Sequence, residues 1–344
     1  MASVDIAVLQ PLDPDDLPAS RKPPSIGKQL ISNRLSVTGF ILLGFFALVA
    51  IFAPVLAPPL PGAANPMFIP RDGFNAVPQP PGIPWDREPP PLPFWWQAVT
   101  GLDHWTHPFG MASGGWDIYY GVIWGTRTAF IAGIVITLFT LVIGVLLGSF
   151  SAYYGGVIDL VLQRITEVFM TFPFLMAALT AATILTPLLG AKAGVGDAGL
   201  VTAGVAIIIF GWMGYARLIR GDILSVRERD YVMAARAVGA KDFRIMIKHI
   251  IPNAIIPTMV VASLDFGTNV VTFAALSFLG LGAEAGYSDW GQLVSFSRNF
   301  ITTLDLYWYM IFFPGMALLF FVLGWNLVGD AVRDILDPRM RKTR

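Results

Sequence analysis

Six long stretches of this sequence carry almost no charged side chains, and they constrain the fold more than any other feature. A helix that crosses the hydrocarbon core of a membrane needs about 20 consecutive apolar residues. One stretch is interrupted by a single carboxylate, Asp265, and the others contain no Asp, Glu, Lys or Arg. The stretches are Leu35–Leu56, Thr128–Phe150, Val168–Ala191, Ala198–Ala216, Ile250–Ala283 and Leu306–Gly329. They predict an all-α polytopic membrane protein with six transmembrane helices.

The overall composition agrees with a chain whose surroundings are a lipid bilayer. Charged residues make up 13% of the 344 residues, whereas soluble domains contain about 25%. The 23 basic and 23 acidic side chains cancel, so nucleic acid is not an expected partner. The absence of cysteine excludes disulfides and thiolate metal sites. With 3 histidines, a zinc enzyme is not expected.

Lysine and arginine predict the orientation of the helices. With the N-terminus in the cytoplasm, 18 of these side chains fall in inner segments and 5 in outer ones, which satisfies the positive-inside rule. Both termini are therefore predicted to be cytoplasmic. The apolar run at residues 35–57 is too long for a secretory signal, so it is interpreted as a retained first helix. Residues 1–34 and 333–344 are then cytoplasmic tails.

The outer loop at residues 58–126 is unusually rich in proline. Of the 26 prolines in the chain, 13 lie between Pro58 and Pro93. Such a density excludes regular helix or central strand there. An extended chain over the outer surface is predicted. Its aromatic side chains suit either the membrane interface or a protein contact, and aromatic belts favour the interface. These side chains are Phe94, Trp95, Trp96 and Trp105.

The inner loop at residues 217–252 contains a cluster of small residues flanked by charges. A helix is predicted over Val232–Val238, with Gly239 just beyond its end. Tyr231 and Ala235 then share a face with Val238, and Arg236 points elsewhere. Small residues allow close approach to another surface, which favours a docking helix for a cytoplasmic partner. An amphipathic loop lying on anionic headgroups is the alternative.

The same loop resembles the EAA loop of ABC-importer permeases. Met233-Ala234-Ala235, Gly239 and Pro252 occupy the motif's positions, with methionine where the family has an acidic residue. Further matching segments follow in order along residues 105–340. They include Tyr154-Gly155-Gly156, Phe172-Pro173, Gly214-Tyr215-Ala216-Arg217, Ala275–Gly282, Asp289-Trp290-Gly291, Phe313-Pro314-Gly315, Asn326–Asp330 and Arg333–Arg339. Together they resemble the C-type permease of the dipeptide/oligopeptide/nickel importer branch.

This resemblance implies a type I ABC importer permease fold over residues 127–332, with a cytoplasmic coupling helix between the fourth and fifth transmembrane helices. It implies a location in the cell (inner) membrane and four kinds of partner: a second homologous permease, two cytoplasmic ATP-binding subunits, an extracytoplasmic solute-binding protein and lipid. The chain has no G-x-x-x-x-G-K-[ST] motif, so it is expected to be non-catalytic and to bind no cofactor. ATP and Mg would be used by the partner subunits. The residues expected at the ATPase contact are Tyr231, Val232, Met233, Ala234, Ala235, Arg236, Ala237, Gly239, Ala240 and Asp242.

Asp265 is the charged residue placed deepest in a predicted span. It lies about 20 Å along the fifth helix at 1.5 Å per residue, where a carboxylate is costly unless it faces protein or water. Thr268, Asn269 and Thr272 follow on the same helix face. One hypothesis is that this stripe lines the translocation path and meets a cationic group of the substrate. Packing between helices is the alternative.

The substrate remains open at this stage. The resemblance makes di- and oligopeptides the first expectation, and nickel or another small solute the alternative. His104 and His107 are interpreted as ordinary surface residues rather than metal ligands. An ion-coupled secondary carrier would also have six helices, but it often shows inverted repeats and several intramembrane charges. A membrane hydrolase would need a nucleophile–base pair or a metal cluster, which this sequence does not offer.

Overall fold

The computed structural model describes residues 33–87, 89–189 and 198–336. They form a helical bundle with a small antiparallel sheet, in which β1 (Met111–Ala112) pairs with β2 (Trp116–Asp117). The longer helices are α1 (Arg34–Leu56), α3 (Ile118–Tyr154), α4 (Gly156–Met170), α5 (Phe174–Leu189), α6 (Ala198–Val226), α9 (Ile251–Phe278) and α12 (Tyr309–Leu336). The shorter ones are α2 (Phe94–Thr100), α7 (Asp230–Ala237), α8 (Asp242–Ile245), α10 (Trp290–Ser295) and α11 (Leu304–Tyr307). A π-helix (Met246–Ile250) joins α8 to α9, and a 3-10 helix (Arg298–Thr303) precedes α11.

Within the described residues, 5 helices are long and apolar enough to cross a membrane, and a bent pair can supply a sixth span. The bent pair is α4 and α5, which meet at 93°. The prediction of one continuous third helix over Val168–Ala191, whose last two residues lie outside the described ones, is therefore wrong. Pro173 has no N–H to donate to the Phe169 carbonyl, and it disfavours helical backbone in the residue before it. Phe172 instead donates its N–H to the Phe169 carbonyl at 3.3 Å.

The second span begins earlier than predicted. α3 starts at Ile118 rather than at Thr128, and it therefore includes Arg127. The Arg127 Nε donates to the Ala50 carbonyl of α1 at 2.6 Å. That carbonyl has no helical donor, because Pro54 stands four residues further along α1. The charged side chain thus satisfies an acceptor that the proline leaves free, and it ties α1 to α3.

α3 and α6 pack closely through small residues spaced four apart on α3. A Cβ added at Gly144 would lie 2.5 Å from the Tyr215 Cβ. A Cβ added at Gly148 would lie 2.3 Å from the Ala216 carbonyl oxygen. Small residues at such spacing let two transmembrane helices bring their backbones together. The contact places Tyr215 of α6 directly against α3.

Replacing Gly148 with alanine is expected to destabilise the bundle, by about 1–3 kcal/mol for overpacking. Gly221 of α6 is the matched control, because a Cβ added there meets nothing within 4 Å. Gly221→Ala should instead be neutral or stabilising, since alanine favours helix over glycine by about 1 kcal/mol. Thermal unfolding in mild detergent measures both variants. Equal unfolding temperatures would contradict the close α3–α6 contact.

Residues 57–117, here called the cap, cover the end of the bundle where α1 ends and α3 begins. Before α2 the described part of the cap has no helix and is held by isolated bridges. The cap also contacts the loop between α9 and α10. The Ile69 N–H donates to the Gly286 carbonyl at 2.7 Å, and the Ser288 N–H donates to the Met67 carbonyl at 2.7 Å. The proline-rich segment is thus hydrogen-bonded to this loop in both directions, as donor and as acceptor.

The tryptophans of the cap face the protein core. Trp96 is 4% exposed and Trp105 is 3% exposed, and their ring centroids are 4.4 Å apart. The Trp96 indole N–H donates to the His104 carbonyl at 3.1 Å. Trp95 is half-buried against the same core, and the side chain of Phe94 lies outside the described part of the structure. Anchoring of Trp96 and Trp105 in the membrane interface was therefore the wrong prediction, because internal packing takes up both rings.

His107 is fully buried, and its interpretation as a surface residue is wrong. Its Nδ1 lies 2.6 Å from an oxygen of Asp117, and its Nε2 lies 3.2 Å from an oxygen of Asp72. Trp85 stacks on the imidazole with ring centroids 4.5 Å apart. His104, in contrast, is exposed and pairs with its neighbour Asp103. Asp72, His107 and Asp117 are called the clasp below.

The clasp joins separate segments of the cap to the start of α3. Asp72 accepts the backbone N–H groups of Asp86 at 2.7 Å and of Arg87 at 2.9 Å. Asp117 accepts the Tyr120 N–H at 2.7 Å, which caps the N-terminus of α3. Burial alone would lower the pKa of His107, but the hydrogen bonds and charges of Asp117 and Asp72 outweigh it and raise that pKa above its usual value.

Candidate functional site

α7 lies in the loop between α6 and α9, and its sequence specifies both of its ends. Asp230 stands in the first turn and Arg236 in the last, where each charge complements the helix dipole. Gly239 follows with φ of +79°, a conformation that favours glycine. Its N–H donates to the Arg236 carbonyl at 2.9 Å, and the Ala240 N–H donates to the Ala235 carbonyl at 3.1 Å. These two bonds form a Schellman motif, so the helix ends where the sequence predicts.

One side of α7 is anchored in the protein. Val232 is fully buried in a cluster that contains Ile223 of α6 and Ile245 of α8. Ala235 and Ala240 are half-buried against the same cluster. The prediction that Val232 contacts a partner is therefore wrong for its side chain, which holds α7 to the bundle. The anchored side leaves the opposite side of the helix free.

Two of the predicted contact residues are bound within the chain by Tyr153, near the end of α3. The Tyr153 hydroxyl donates to a carboxylate oxygen of Asp242 at 2.6 Å. The Arg236 guanidinium lies over the Tyr153 ring, 5.7 Å from its centroid. Both charged side chains therefore fix the position of α7 and α8 relative to α3. Their placement complements the apolar anchor at Val232.

The free side of α7 carries a small, exposed, apolar surface. Ala234 and Ala237 lie at its centre, and Met233, Tyr231 and Val238 surround them. Val238 is 84% exposed. These five residues, called the α7 face below, include no charged side chain although charges flank them in sequence. A short rigid helix with small residues at its centre can enter a cleft of another protein without steric conflict.

The segment after α7 connects this face to the transmembrane core. α8 continues into the π-helix and then into α9, which begins at Ile251. Pro252 is the second residue of α9. It has no N–H, and the first turn of a helix tolerates this because its N–H groups have no partner within the helix. The Asn253 side-chain amide donates to the His249 carbonyl at 2.6 Å. α9, the helix that carries Asp265, is therefore joined without a loop to the segment that holds α7.

A pocket of about 360 Å³ lies among α3, α6, α9 and the break between α4 and α5. It is called the central pocket below. Its polar part consists of Thr140, Tyr215, Asp265, Thr268 and Asn269. Its apolar part comes from the helix break and from α6, and includes Phe169, Met170, Phe172, Phe174, Phe210 and Met213. The pocket therefore combines one carboxylate with an aromatic and thioether wall.

The four polar residues predicted on α9 do not all line this pocket. Asp265 and Thr268 do, and Asn269 does so from a buried position in which its amide donates to the Thr137 hydroxyl at 2.9 Å. Thr272 is not part of the lining, and its hydroxyl donates to the Thr268 carbonyl of its own helix at 2.9 Å. Three residues of the predicted stripe therefore reach this pocket, and Thr272 lies outside its lining.

Tyr215 is a pocket residue that the periodicity of α9 could not reveal. It is 3% exposed, and its side chain lines the pocket together with Asp265 and Thr140. Within the described residues its hydroxyl forms no hydrogen bond of normal geometry. Its position follows from the α3–α6 contact at Gly144, which depends on pairing two helices distant in sequence. The sequence offered one signal, because the segment Gly214-Tyr215-Ala216-Arg217 matches the family pattern. That match did not indicate any role for Tyr215.

The fold and these two sites define a polytopic helical membrane protein with a rigid surface helix at one end and a polar pocket within the bundle. Residues 144–342 match the family described as the binding-protein-dependent transport system inner membrane component. Residues 25–81 match the N-terminal transmembrane domain of oligopeptide transport permease C. The chain belongs to the binding-protein-dependent transport permeases, in the dipeptide and oligopeptide permease C branch.

Individual relatives cover nearly the whole chain. It is 35% identical to the dipeptide transport system permease protein DppC of Alkalihalophilus pseudofirmus, over 91% of this chain and 89% of the relative. It is 32% identical to the oligopeptide transport system permease protein OppC of Bacillus subtilis, over 90% of this chain and 88% of the relative. Among solved structures, an inward-facing MetNI methionine ABC transporter aligns with a TM-score of 0.49 and 19% identity, over 63% of this chain and 96% of that one.

Proposed function

We propose that this chain is the permease subunit of an ATP-driven importer and forms half of a translocation path for small peptides. The observation that carries the proposal is the α7 face, a rigid apolar surface that the described residues leave exposed. The relatives named for dipeptide and oligopeptide transport support peptides as the substrate class. The chain is the non-catalytic subunit, and ATP and Mg are used by its partners.

The distribution of lysine and arginine supports the orientation. Eight of these side chains lie between Arg217 and Lys248, around the α7 face, and this excess favours a cytoplasmic position for α7. The chain then spans the inner membrane several times, and both of its termini lie in the cytoplasm. The cap faces the opposite side, where a solute-binding protein delivers the peptide.

The geometry supports a specific division of contacts among the partners. The α7 face enters a cleft of one of two cytoplasmic ATP-binding subunits. Val232, Ala235, Ala240, Arg236 and Asp242 hold that face in position from within the chain, and Gly239 ends the helix. A second homologous permease packs beside this one, and the path between them is lined on this side by Asp265, Thr268 and Asn269.

Nickel import, the alternative substrate class, finds no support at His107, the buried histidine of the cap. Both ring nitrogens of His107 are engaged, one by Asp117 and the other by Asp72. Among the described residues no group of His, Asp and Glu is arranged to hold a metal ion. Peptides therefore remain the favoured class.

Affinity purification from the native membrane in mild detergent, followed by reconstitution, tests this proposal. We expect an ATP-binding subunit and a second polytopic permease to purify with the chain. In proteoliposomes supplied with the binding protein, we expect uptake of radiolabelled trialanine only when ATP is present on the α7 side. A chain that purifies alone and transports with an ion gradient in the absence of ATP would instead identify a secondary carrier.

A further inference from the structure

We propose that the central pocket recognises the protonated amino group of the transported peptide, with Asp265 as its counter-ion. This inference rests on the importer function proposed above and adds a site of recognition within the permease. Its physical basis is a carboxylate that has no cationic partner in the part of the chain that the structure describes. Asp265 forms no salt bridge there, and it lines the pocket beside Tyr215.

An unpaired carboxylate within a transmembrane bundle is costly unless a positive charge or water reaches it. A ligand that carries a cation removes this cost, and it gains an interaction that is stronger than in water because the surroundings are less polar. Asp265 is half-buried rather than sealed, and it lines an open pocket. A ligand can therefore reach the carboxylate without unfolding the bundle.

The rest of the lining favours an organic ammonium over a metal ion. A divalent cation takes several oxygen ligands, typically from more than one carboxylate, whereas Asp265 is the single acidic residue among the described residues that line the pocket. Phe169 and Phe210, with ring centroids 5.7 Å apart, and Phe172 supply aromatic surfaces. Such faces attract ammonium groups. The volume of about 360 Å³ falls within the range of pockets for small organic ligands.

The position of the pocket is also that of a transport site. In secondary transporters, substrate sites commonly lie beside interrupted helices near the middle of the bilayer, and the central pocket resembles them in lying beside such a break. The pocket lies against the 93° break between α4 and α5. Asp265 stands well inside α9, which is directly continuous with the segment holding α7. The same helix thus reaches both the recognition site and the surface offered to the ATPase.

The first test compares variants in the assembled importer, in proteoliposomes with its binding protein and ATP. Asp265→Asn retains the shape of the side chain and removes its charge, and it should lower trialanine uptake by about tenfold or more, the factor expected when one charged contact is lost. Asp265→Glu retains the charge and should stay within about threefold of the wild type. Thr272→Val is the matched control on α9, outside the pocket, and should not change uptake. Equal uptake by Asp265→Asn and the wild type would overturn the inference.

The second test uses the wild-type importer, so it does not depend on how a variant folds. A hydrophobic carbodiimide modifies carboxyl groups in apolar surroundings, and mass spectrometry identifies modified Asp265. We expect trialanine to slow this modification, and N-acetyl-trialanine, which lacks the amino charge, to leave its rate unchanged. Equal protection by both peptides, or by neither, would contradict recognition of the amino group.

The two proposals fail in different ways. If the wild-type importer shows no ATP-dependent uptake of trialanine, the proposed function fails and this inference fails with it. If the wild type transports trialanine and Asp265→Asn transports it equally well, the importer function stands. The amino group would then be recognised elsewhere, and Asp265 would serve the packing of α9 against α6.

Discussion

Replacing His107 with leucine is expected to open the cap. The substitution removes the partner of two buried carboxylates, Asp72 and Asp117, and breaking a buried charge pair in this way costs about 3–5 kcal/mol. Water would then replace His107 as a partner of Asp72. The hydrogen bonds that Asp72 accepts from the backbone N–H groups of Asp86 and Arg87 would weaken. The expected result is faster cleavage by trypsin after Arg87, in the purified protein in mild detergent.

His104 provides the matched control for this variant. It lies in the same cap, is exposed, and pairs with Asp103 at the surface, where ion pairs contribute about 0–1 kcal/mol. His104→Leu should therefore leave the tryptic pattern unchanged. A His107→Leu protein with the wild-type rate of cleavage after Arg87 would show that the clasp does not hold the cap.

The clasp should also make the cap sensitive to pH in a defined direction. The folded-state pKa of His107 is raised above 6.5, so the folded cap binds its proton more tightly than the unfolded chain does. The stability contributed by the protonated ring is fully present below pH 6.5 and is lost as the pH rises through the folded-state pKa. We expect cleavage after Arg87, relative to trypsin's cleavage of a short unstructured peptide at each pH, to increase over this range.

In the His107→Leu variant this pH dependence should disappear, because the titrating ring is gone. If the relative cleavage rate of the wild type instead rose on acidification, the pH dependence would run opposite to the prediction. That result would exclude a stabilising protonated imidazole. The same measurement in the presence of the binding protein would report whether docking on the cap stabilises the clasped form.

The elements that could be predicted from the sequence are those whose cause is local. The apolar runs predicted the spans because the length of each run is itself the requirement for crossing a membrane. Gly239 predicted the end of α7 because a left-handed residue at that position is a property of a few adjacent residues. Pro173 offered the same kind of signal for the break in the third span, but the apolar run around it favoured a continuous helix.

The features that escaped sequence reasoning depend on pairs distant along the chain. His107 is buried because Asp72 and Asp117 supply partners for its ring. The distances along the sequence between His107 and these two residues do not indicate that they meet in the fold. Val232 is buried because Ile223 and Ile245 meet over it, so the periodicity of a short helix could not tell which of its sides faces inward. The same holds for the central pocket, where α9 supplied Asp265 but α6 supplied Tyr215. The sequence therefore predicts which residues share one face of a helix, but it does not predict what that face packs against.

Replacing Ala234 with tryptophan is expected to uncouple the importer without unfolding the permease. Ala234 lies at the centre of the α7 face and is exposed, so a larger side chain there points away from the part of the chain that the structure describes. In the assembled importer the ring would occupy space that the cleft of the ATP-binding subunit needs. Overpacking of this kind costs about 1–3 kcal/mol, and about 1.4 kcal/mol corresponds to a tenfold change. ATP-dependent uptake should therefore fall by about tenfold or more.

Ala234→Ser separates the effect of bulk from that of the substitution itself. Serine stays small, so this variant should assemble and transport like the wild type. Thermal unfolding of the isolated permease should be the same for both variants, since neither changes the buried anchor at Val232. Uptake and the amount of ATP-binding subunit purified with each variant are then compared. If Ala234→Trp transports as well as Ala234→Ser, the α7 face does not enter a cleft, and the small residues at its centre serve only to keep the loop compact.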